Sequence, residues 1–172
     1  MKNILNKKLI QRYSRQIILK DVGPIGQKKI INSKVLVVGA GGLGCPVIDY
    51  LSRAGVGNIG IVDNDKVNIS NIHRQSLYNS KDVGEFKVNS VKEKIKLINP
   101  QVKIKTFKER ISKKNIEKIF KSYDFIVDGS DNFKTKFLLN KYCLNQKKIL
   151  IVGAISKMDG HIFTFDFKNK ND

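Results

Sequence analysis

At 172 residues the chain is long enough for one domain with a sizeable core and short for two. Its hydrophobic content of 41% lies outside the disordered range, and its longest apolar runs, Val35–Val38 and Ile149–Val152, are too short to cross a bilayer. A formal net charge of +18 invites a nucleic-acid partner, yet arginine, the residue of base readout and phosphate clamping, occurs only at Arg12, Arg15, Arg53, Arg74 and Arg110.

The lysines are spread over every segment, and Lys, Ile and Asn share A/T-rich codons, so the charge reads as a solvated surface. It still favours an acidic partner protein or a polyanion over a neutral one. Cys45 and Cys143 form no CxxC pair, which excludes a disulfide framework and a self-contained four-cysteine zinc site; zinc is not expected. Lysines interrupt the apolar residues of Met1–Ile10, so no signal-peptide core is present there. The expectation is a cytoplasmic protein without membrane contact, both thiols being buried and inert.

Two helical stretches come first, Lys8–Leu19 and Ile25–Ile31, forming an N-terminal segment over residues 1–33. Lys34–Val38 is a β-branched run that predicts a buried strand, followed by a glycine-rich turn and a helix carrying Val47, Leu51 and Ala54 on one face. Pro46 suits the first turn of that helix, and Gly55 and Gly57 stop it. Ile59–Val62 predicts a second strand ending at Asp63. Val88, Val91, Ile95 and Ile98 then draw an apolar stripe on a helix that stops before Pro100. Val102–Phe107 follows as a strand, Asn115–Lys121 as a short helix and Phe125–Val127 as a strand. Lys134–Leu144 is a helix, and Ile149–Val152 and His161–Phe167 are the last two strands.

Strands alternating with helices predict an α/β, Rossmann-like domain over residues 34–167, its mainly parallel sheet covered on both faces. The link Gly153–Gly160 is too short for a helical crossover, so the last strand is expected to be antiparallel. The polar tail Lys168–Asp172 is expected to fray.

Gly39-Ala40-Gly41-Gly42-Leu43-Gly44 fits GxGxxG between a predicted strand and a predicted helix. Glycines there permit a tight turn and bring backbone N–H groups close to phosphate. Asp63 follows at the end of the second strand, about 20 residues on, where a carboxylate can accept from ribose hydroxyls. This motif alone leaves NAD, FAD and ATP open.

The residues that bear on the choice are Ser70-Asn71-Ile72-His73-Arg74-Gln75, then Lys87, then Asp131-Asn132 beyond the fourth strand. Carboxyl ends of strands form the binding crevice in open α/β sheets. Two cations and a carboxylate additional to Asp63 suit a triphosphate with Mg²⁺ better than a nicotinamide. Lys87 opens a helix, where the macrodipole disfavours a cation by roughly 0.3–1 kcal/mol, so a functional reason is sought for it. Asp131 reads equally as an N-cap of the following helix.

RYSRQ at Arg12–Gln16, GAGGLG at Gly39–Gly44, AGVGNIGIVDND at Ala54–Asp65, SNIHRQ at Ser70–Gln75, VGEFKV at Val83–Val88, INP at Ile98–Pro100 and SDN at Ser130–Asn132 occur in this order. Together, over nearly the whole chain, they resemble the MoeB/ThiF adenylyltransferases, bacterial relatives of ubiquitin-activating enzymes. The resemblance implies that Gly39, Gly41, Gly42, Gly44 and Asp63 hold ATP, with Asp63 on the ribose, and that Asp65 lies in the same site. It implies Ser70, Asn71, Ile72, His73, Arg74 and Gln75 around the phosphates, with His73 a backbone-level contact; His161, at the start of a predicted strand, reads as structural. Lys87 steadies the phosphates, Asp131 carries Mg²⁺ and Asn132 lies beside it. Arg15 is similar to the arginine that enters a partner subunit's site in that family, which implies a homodimer. The catalytic set implied is Arg15, Arg74, Lys87 and Asp131.

The reaction implied is attack by the C-terminal glycine carboxylate of a ubiquitin-like sulfur-carrier protein, ending in Gly-Gly, on the α-phosphate of ATP. A carboxylate is already ionised at neutral pH, so the absence of a Ser/His/Asp or Cys/His set agrees with it. Members of the family continue into zinc-binding CxxC pairs and a cysteine-bearing loop, which this sequence lacks, and Gly129-Ser130 stands where many have Cys-Thr. Three rivals remain: an NAD(P)-dependent oxidoreductase, a tRNA-modifying relative, and a module that holds nucleotide or carrier without turnover.

Overall fold

A computed structural model of the chain describes residues 5–169. The elements run α1 (Lys7–Arg12), α2 (Ser14–Ile17), α3 (Gly23–Asn32), β1 (Lys34–Val38), α4 (Gly44–Ala54), β2 (Asn58–Val62), α5 (Lys87–Ile98), β3 (Lys103–Phe107), α6 (Ile116–Phe120), β4 (Phe125–Asp128), α7 (Phe133–Asn145), β5 (Ile149–Ser156) and β6 (Asp159–Asp166). They build one six-stranded sheet of order β3-β2-β1-β4-β5-β6. The first five strands are mutually parallel and β6 is antiparallel to β5. This is the Rossmann-like architecture expected from the alternation of strands and helices.

Burial on both faces explains the near-continuous apolar runs of the central strands. Successive side chains of a strand point to opposite faces. Val35 and Val37 of β1, with Ile59 and Ile61 of β2, meet Cys45 and Ile48 of α4 and Val88, Val91 and Ile95 of α5. Leu36 and Val38, with Ile126 and Leu150, meet Ile119 and Phe120 of α6 and Leu139 and Cys143 of α7 on the opposite face. No helix among the described residues is long and apolar enough to cross a membrane.

Several expectations are corrected. The stretch Lys8–Leu19 is not one helix: it breaks at Tyr13, whose φ of −103° and ψ of 16° leave the helical region. Tyr13 gives up helical geometry to bury its ring, 2% exposed, against the main body. Nor is Gly153–Gly160 a free link. β5 runs on to Ser156 and pairs residue for residue with β6 from Asp159, leaving a two-residue turn, Lys157-Met158. Lys157 adopts the positive φ of 55° that such a tight reversal demands. His161 lies inside β6 rather than at its start and is exposed, stacked on Phe163 at 6.0 Å. At the start of the tail, Lys168 and Asn169 donate to the Asp166 carboxylate at 3.0 and 2.9 Å. The remainder of the tail lies outside the described residues.

Candidate nucleotide-binding site

The strand order reverses between β1 and β4, the point at which open α/β sheets leave a crevice at their carboxyl ends. The glycine turn Gly39–Leu43 leaves β1 there and opens directly into α4. Gly39 has φ 94°, and a side chain on it would come within 2.8 Å of the Gly129 carbonyl oxygen, so the turns after β1 and β4 touch through backbone alone. A methyl on Gly44 would lie 1.9 Å from the Gly39 carbonyl oxygen, which is why the helix starts so close to the turn only with glycine. Gly41 and Gly42 are different. Around them the space is open to ordinary contact, 3.6 Å from Gln75 Nε2 and 3.8 Å from Arg74 Cγ and Cδ.

Asp63 is tied to this turn. Its Oδ2 accepts from the Ala40 backbone N–H at 2.8 Å and its Oδ1 from the Asp65 N–H at 2.8 Å. Each carboxylate oxygen keeps capacity for a further donor such as a ribose hydroxyl. From beneath, Tyr78 donates its hydroxyl to the Ala40 carbonyl at 2.7 Å, and Cys45 approaches the same oxygen at 3.4 Å. Burial pushes both the Tyr78 hydroxyl and the Cys45 thiol up from their ordinary pKa values, so both groups stay protonated at neutral pH. Burial likewise pushes the Cys143 thiol, remote from this turn on the opposite face of the sheet, up to about 12. The expectation of buried, inert thiols holds for both cysteines.

The segment after β2 folds back over the turn. Asn68 accepts from the backbone N–H and the hydroxyl of Ser70, both at 2.9 Å, and starts a 3₁₀ turn over Ile69–Asn71. The Asn71 carbonyl then takes the backbone N–H groups of Arg74 and Gln75 at 3.1 and 3.0 Å. These bonds bring Arg74 over Gly42 and Gln75 beside Gly41. Arg74 Nη1 donates to the Ser70 carbonyl at 3.2 Å and lies 2.9 Å from His73 Nε2, so His73 is in side-chain as well as backbone reach of the site. Ile72 is partly buried and packs against the core. Gln75 is 4% exposed, and its buried Oε1 has no partner among the described residues.

Lys87, the first residue of α5, is buried, and its Nζ lies 2.9 Å from Asp65 Oδ2. That ion pair offsets the unfavourable helix dipole anticipated from the sequence. Backbone turn, Asp63, Asp65 and Lys87 thus form one connected chain of polar contacts. Beyond β4, Asp128 accepts from the Ser130 N–H at 2.9 Å and its hydroxyl at 2.6 Å, and receives Lys136 Nζ at 3.2 Å. Lys136 also donates to the Gly153 carbonyl at 2.8 Å. This knot shapes the loop that presents Asp131 to solvent. Asp131 is not the N-cap of α7; Asn132 is, accepting from the Thr135 N–H at 2.9 Å. The cap needs its acceptor three residues before that N–H, and Asp131 stands one residue too early.

Arg74, Gln75, Asp63, Asp65, Lys87 and the loop with Asp131 therefore gather around one turn, whereas Arg15, exposed on α2, lies elsewhere. The supporting residues Tyr78, Asp128 and Lys136 escaped the sequence reading. Only Asp128 left a trace, as an acid closing an apolar strand. Among the described residues no group of three or more His, Cys, Asp or Glu side chains forms a metal cluster.

The ThiF family model matches residues 13–172, nearly the full chain. The chain belongs to the ThiF family. It is 44% identical over 159 residues to a sulfur carrier protein adenylyltransferase of Thermus thermophilus, covering 92% of this chain and 59% of that one. A probable molybdopterin-synthase adenylyltransferase of Gracilaria tenuistipitata is 41% identical, covering 92% and 45%. Among solved structures, E. coli MccB with AMPCPP and MccA superimposes with a TM-score of 0.77 at 28% identity, covering 88% of this chain and 45% of that one. This ThiF domain thus spans about half the length of the relatives it matches.

Proposed function

We propose that this ThiF domain binds ATP and activates the C-terminal glycine carboxylate of a ubiquitin-like sulfur-carrier protein as its acyl-adenylate. A carboxylate oxygen bonds to the α-phosphorus while the bond from that phosphorus to the bridging oxygen of the β-phosphate breaks, and pyrophosphate leaves. The observation that carries the proposal is the convergence of Arg74 and Lys87 on a glycine turn whose Gly41 and Gly42 leave open the approach to their backbone.

The residues fit the ligand. Backbone N–H groups at the start of a helix suit phosphate, Asp63 has lone pairs for the ribose, and Gln75 brings its Nε2 donor beside Gly41. Asp131 is the carboxylate that would hold Mg²⁺, which would supply neutralisation of phosphate charge. Bringing one anion against another is the difficult part of this chemistry, and fixed cations address it electrostatically without a general base. The names of the relatives, the Thermus and Gracilaria adenylyltransferases, support this reading, as does the AMPCPP held by MccB. The carrier belongs to the molybdopterin or thiamine pathway, and the working unit is a homodimer in which Arg15 crosses to the neighbouring site.

Purified protein should exchange labelled pyrophosphate into ATP only when a carrier ending in Gly-Gly is present. Binding of ATP and carrier without exchange would leave a non-catalytic module; a rise in melting temperature with NAD(P) instead of ATP would make it an oxidoreductase.

A further inference from the structure

The N-terminal corner that bears Arg15 is fastened to the opposite end of the two helices that begin at the site. α4 starts at the glycine turn and α5 starts at Lys87, and it is their carboxyl ends that α1 and α2 grip. Tyr13, between the two short helices, lays its ring over Gly55, so closely that a side chain on Gly55 would fall 2.5 Å from the ring's Cζ and hydroxyl. The Tyr13 hydroxyl accepts from Asn99 Nδ2 at 2.9 Å, and the same Nδ2 donates to the Ser52 carbonyl at 2.8 Å. Asn99 is fully buried. On either side, Arg12 Nη1 donates to the Ile98 carbonyl at 3.1 Å and Gln16 Nε2 to the Ala54 carbonyl at 3.2 Å.

Two consequences follow. Gln16, adjacent to Arg15, is bonded to the last residue of α4, whose 11 residues carry it about 16 Å from the glycine turn. An extended arginine side chain does not bridge that length, so Arg15 has no access to the site of its own chain. Second, Arg15 sits on a helix of only four residues, too short to hold its own direction, so the flanking anchors set where the guanidinium goes.

We propose that Tyr13, latched by Asn99 into the groove over Gly55, is a positioning residue that aims Arg15 into the site of a second copy of the chain. This rests on the reading that Arg15 acts across a homodimer. Its test is a mixture of two damaged chains. One carries Arg15→Ala and keeps an intact nucleotide site; the other carries Arg74→Ala and keeps Arg15. Mixed dimers contain one complete site, and pyrophosphate exchange returns.

Tyr13→Phe, which keeps the ring and removes only the hydroxyl, is then placed on one chain or the other. On the chain that lends Arg15 it lowers kcat about fivefold, the equivalent of one ordinary hydrogen bond, with KM for ATP unchanged. On the chain that lends the nucleotide site it changes neither. An equal loss on both chains, or no loss on either, overturns the positioning role, and melting temperatures measured alongside show whether both mixtures are folded. If the parent chain exchanges and the mixture does not, Arg15 does not cross between chains. If the parent does not exchange, the proposed activation itself fails.

Discussion

Alanine placed singly at the four glycines of the turn separates what the fold requires from what the ligand requires. At Gly44 the new methyl meets the Gly39 carbonyl oxygen at 1.9 Å, and neither group belongs to a flexible side chain that can swing away. At Gly39 the positive φ of 94° adds about 1–2 kcal/mol of backbone strain to a contact of 2.8 Å with Gly129. With roughly 1–3 kcal/mol for overpacking, Gly39→Ala costs about 2–5 kcal/mol. In a chain of this size each kcal/mol lowers the melting temperature by roughly 2–4 °C, so the loss is about 4–20 °C. Gly42 has neither difficulty: its φ is outside the left-handed region, and its methyl meets Arg74 at an unstrained 3.8 Å. Gly42→Ala should leave the free protein unchanged or firmer by up to about 1 kcal/mol, through the lost freedom of the unfolded chain. That methyl nevertheless stands where a phosphate must approach the backbone. With ATP at 100 times its Kd, the parent gains about 2.7 kcal/mol; a tenfold weaker variant gains about 1.4 kcal/mol, half the thermal shift. Melting curves with and without ATP decide the matter. A Gly42→Ala protein that keeps the full ATP shift removes this turn from the ligand, and one that melts as early as Gly39→Ala refutes the packing argument.

Asp131→Ala, at an exposed position, should leave stability within about 0.5 kcal/mol and abolish Mg²⁺-dependent pyrophosphate exchange; persistence of that exchange removes Asp131 from the metal. Asn132→Ala should cost about 1 kcal/mol through loss of the α7 cap, seen as a melting temperature about 2–4 °C lower, and a larger drop for Asp131→Ala would reverse the assignment of the cap. For pH, burial raises the Cys143 thiol from 9.0 to about 12 in the folded chain, so its neutral form favours folding fully below pH 9. That contribution disappears as pH rises from 9 towards 12, by about 1.4 kcal/mol per unit, and Cys45 and Tyr78 shift in the same direction. Stability should therefore fall steeply above pH 9, and Cys143→Ala should flatten that slope; an unchanged slope contradicts the burial argument.

Most of the sheet was legible because a parallel strand buried on both faces must be a short apolar run, and β1 and β2 are such runs. The glycine turn was legible for a related reason, since only glycine permits the backbone contacts at Gly39 and Gly44. What escaped depends on side chains distant in sequence. Nothing local shows that Tyr13 meets Asn99, that Tyr78 supports the Ala40 carbonyl, or that Lys136 neutralises Asp128. Tyr13 also broke a helix that its own neighbourhood favours, a case of tertiary burial outweighing propensity. The β5–β6 turn was missed because Lys157-Met158 lacks the Gly, Asn or Asp that usually marks such a reversal, and the strand pairing on either side holds it. Asp131 reads as a cap because its residue type serves as one, and only the position of the Thr135 N–H assigns the cap to Asn132 instead.

The two cations gathered at the turn are held differently, and the difference bears on the proposed chemistry. Arg74 is exposed, steadied by the Ser70 carbonyl and His73, and is free to adjust as a ligand arrives. Lys87 is nearly enclosed, its side chain 6% exposed, while that of its partner Asp65 is 57% exposed. A buried cation paired with another buried group gives up its partner only at high cost, but a solvent-facing carboxylate is readily rehydrated on release. Lys87 can thus be held in place by Asp65 in the free protein and passed to phosphate when ATP binds, with little of the site rearranging. Preorganised charge is most effective when it need not reorient during the reaction. The burial of Lys87 at a helix start, which the dipole alone would disfavour, is the feature that this arrangement explains.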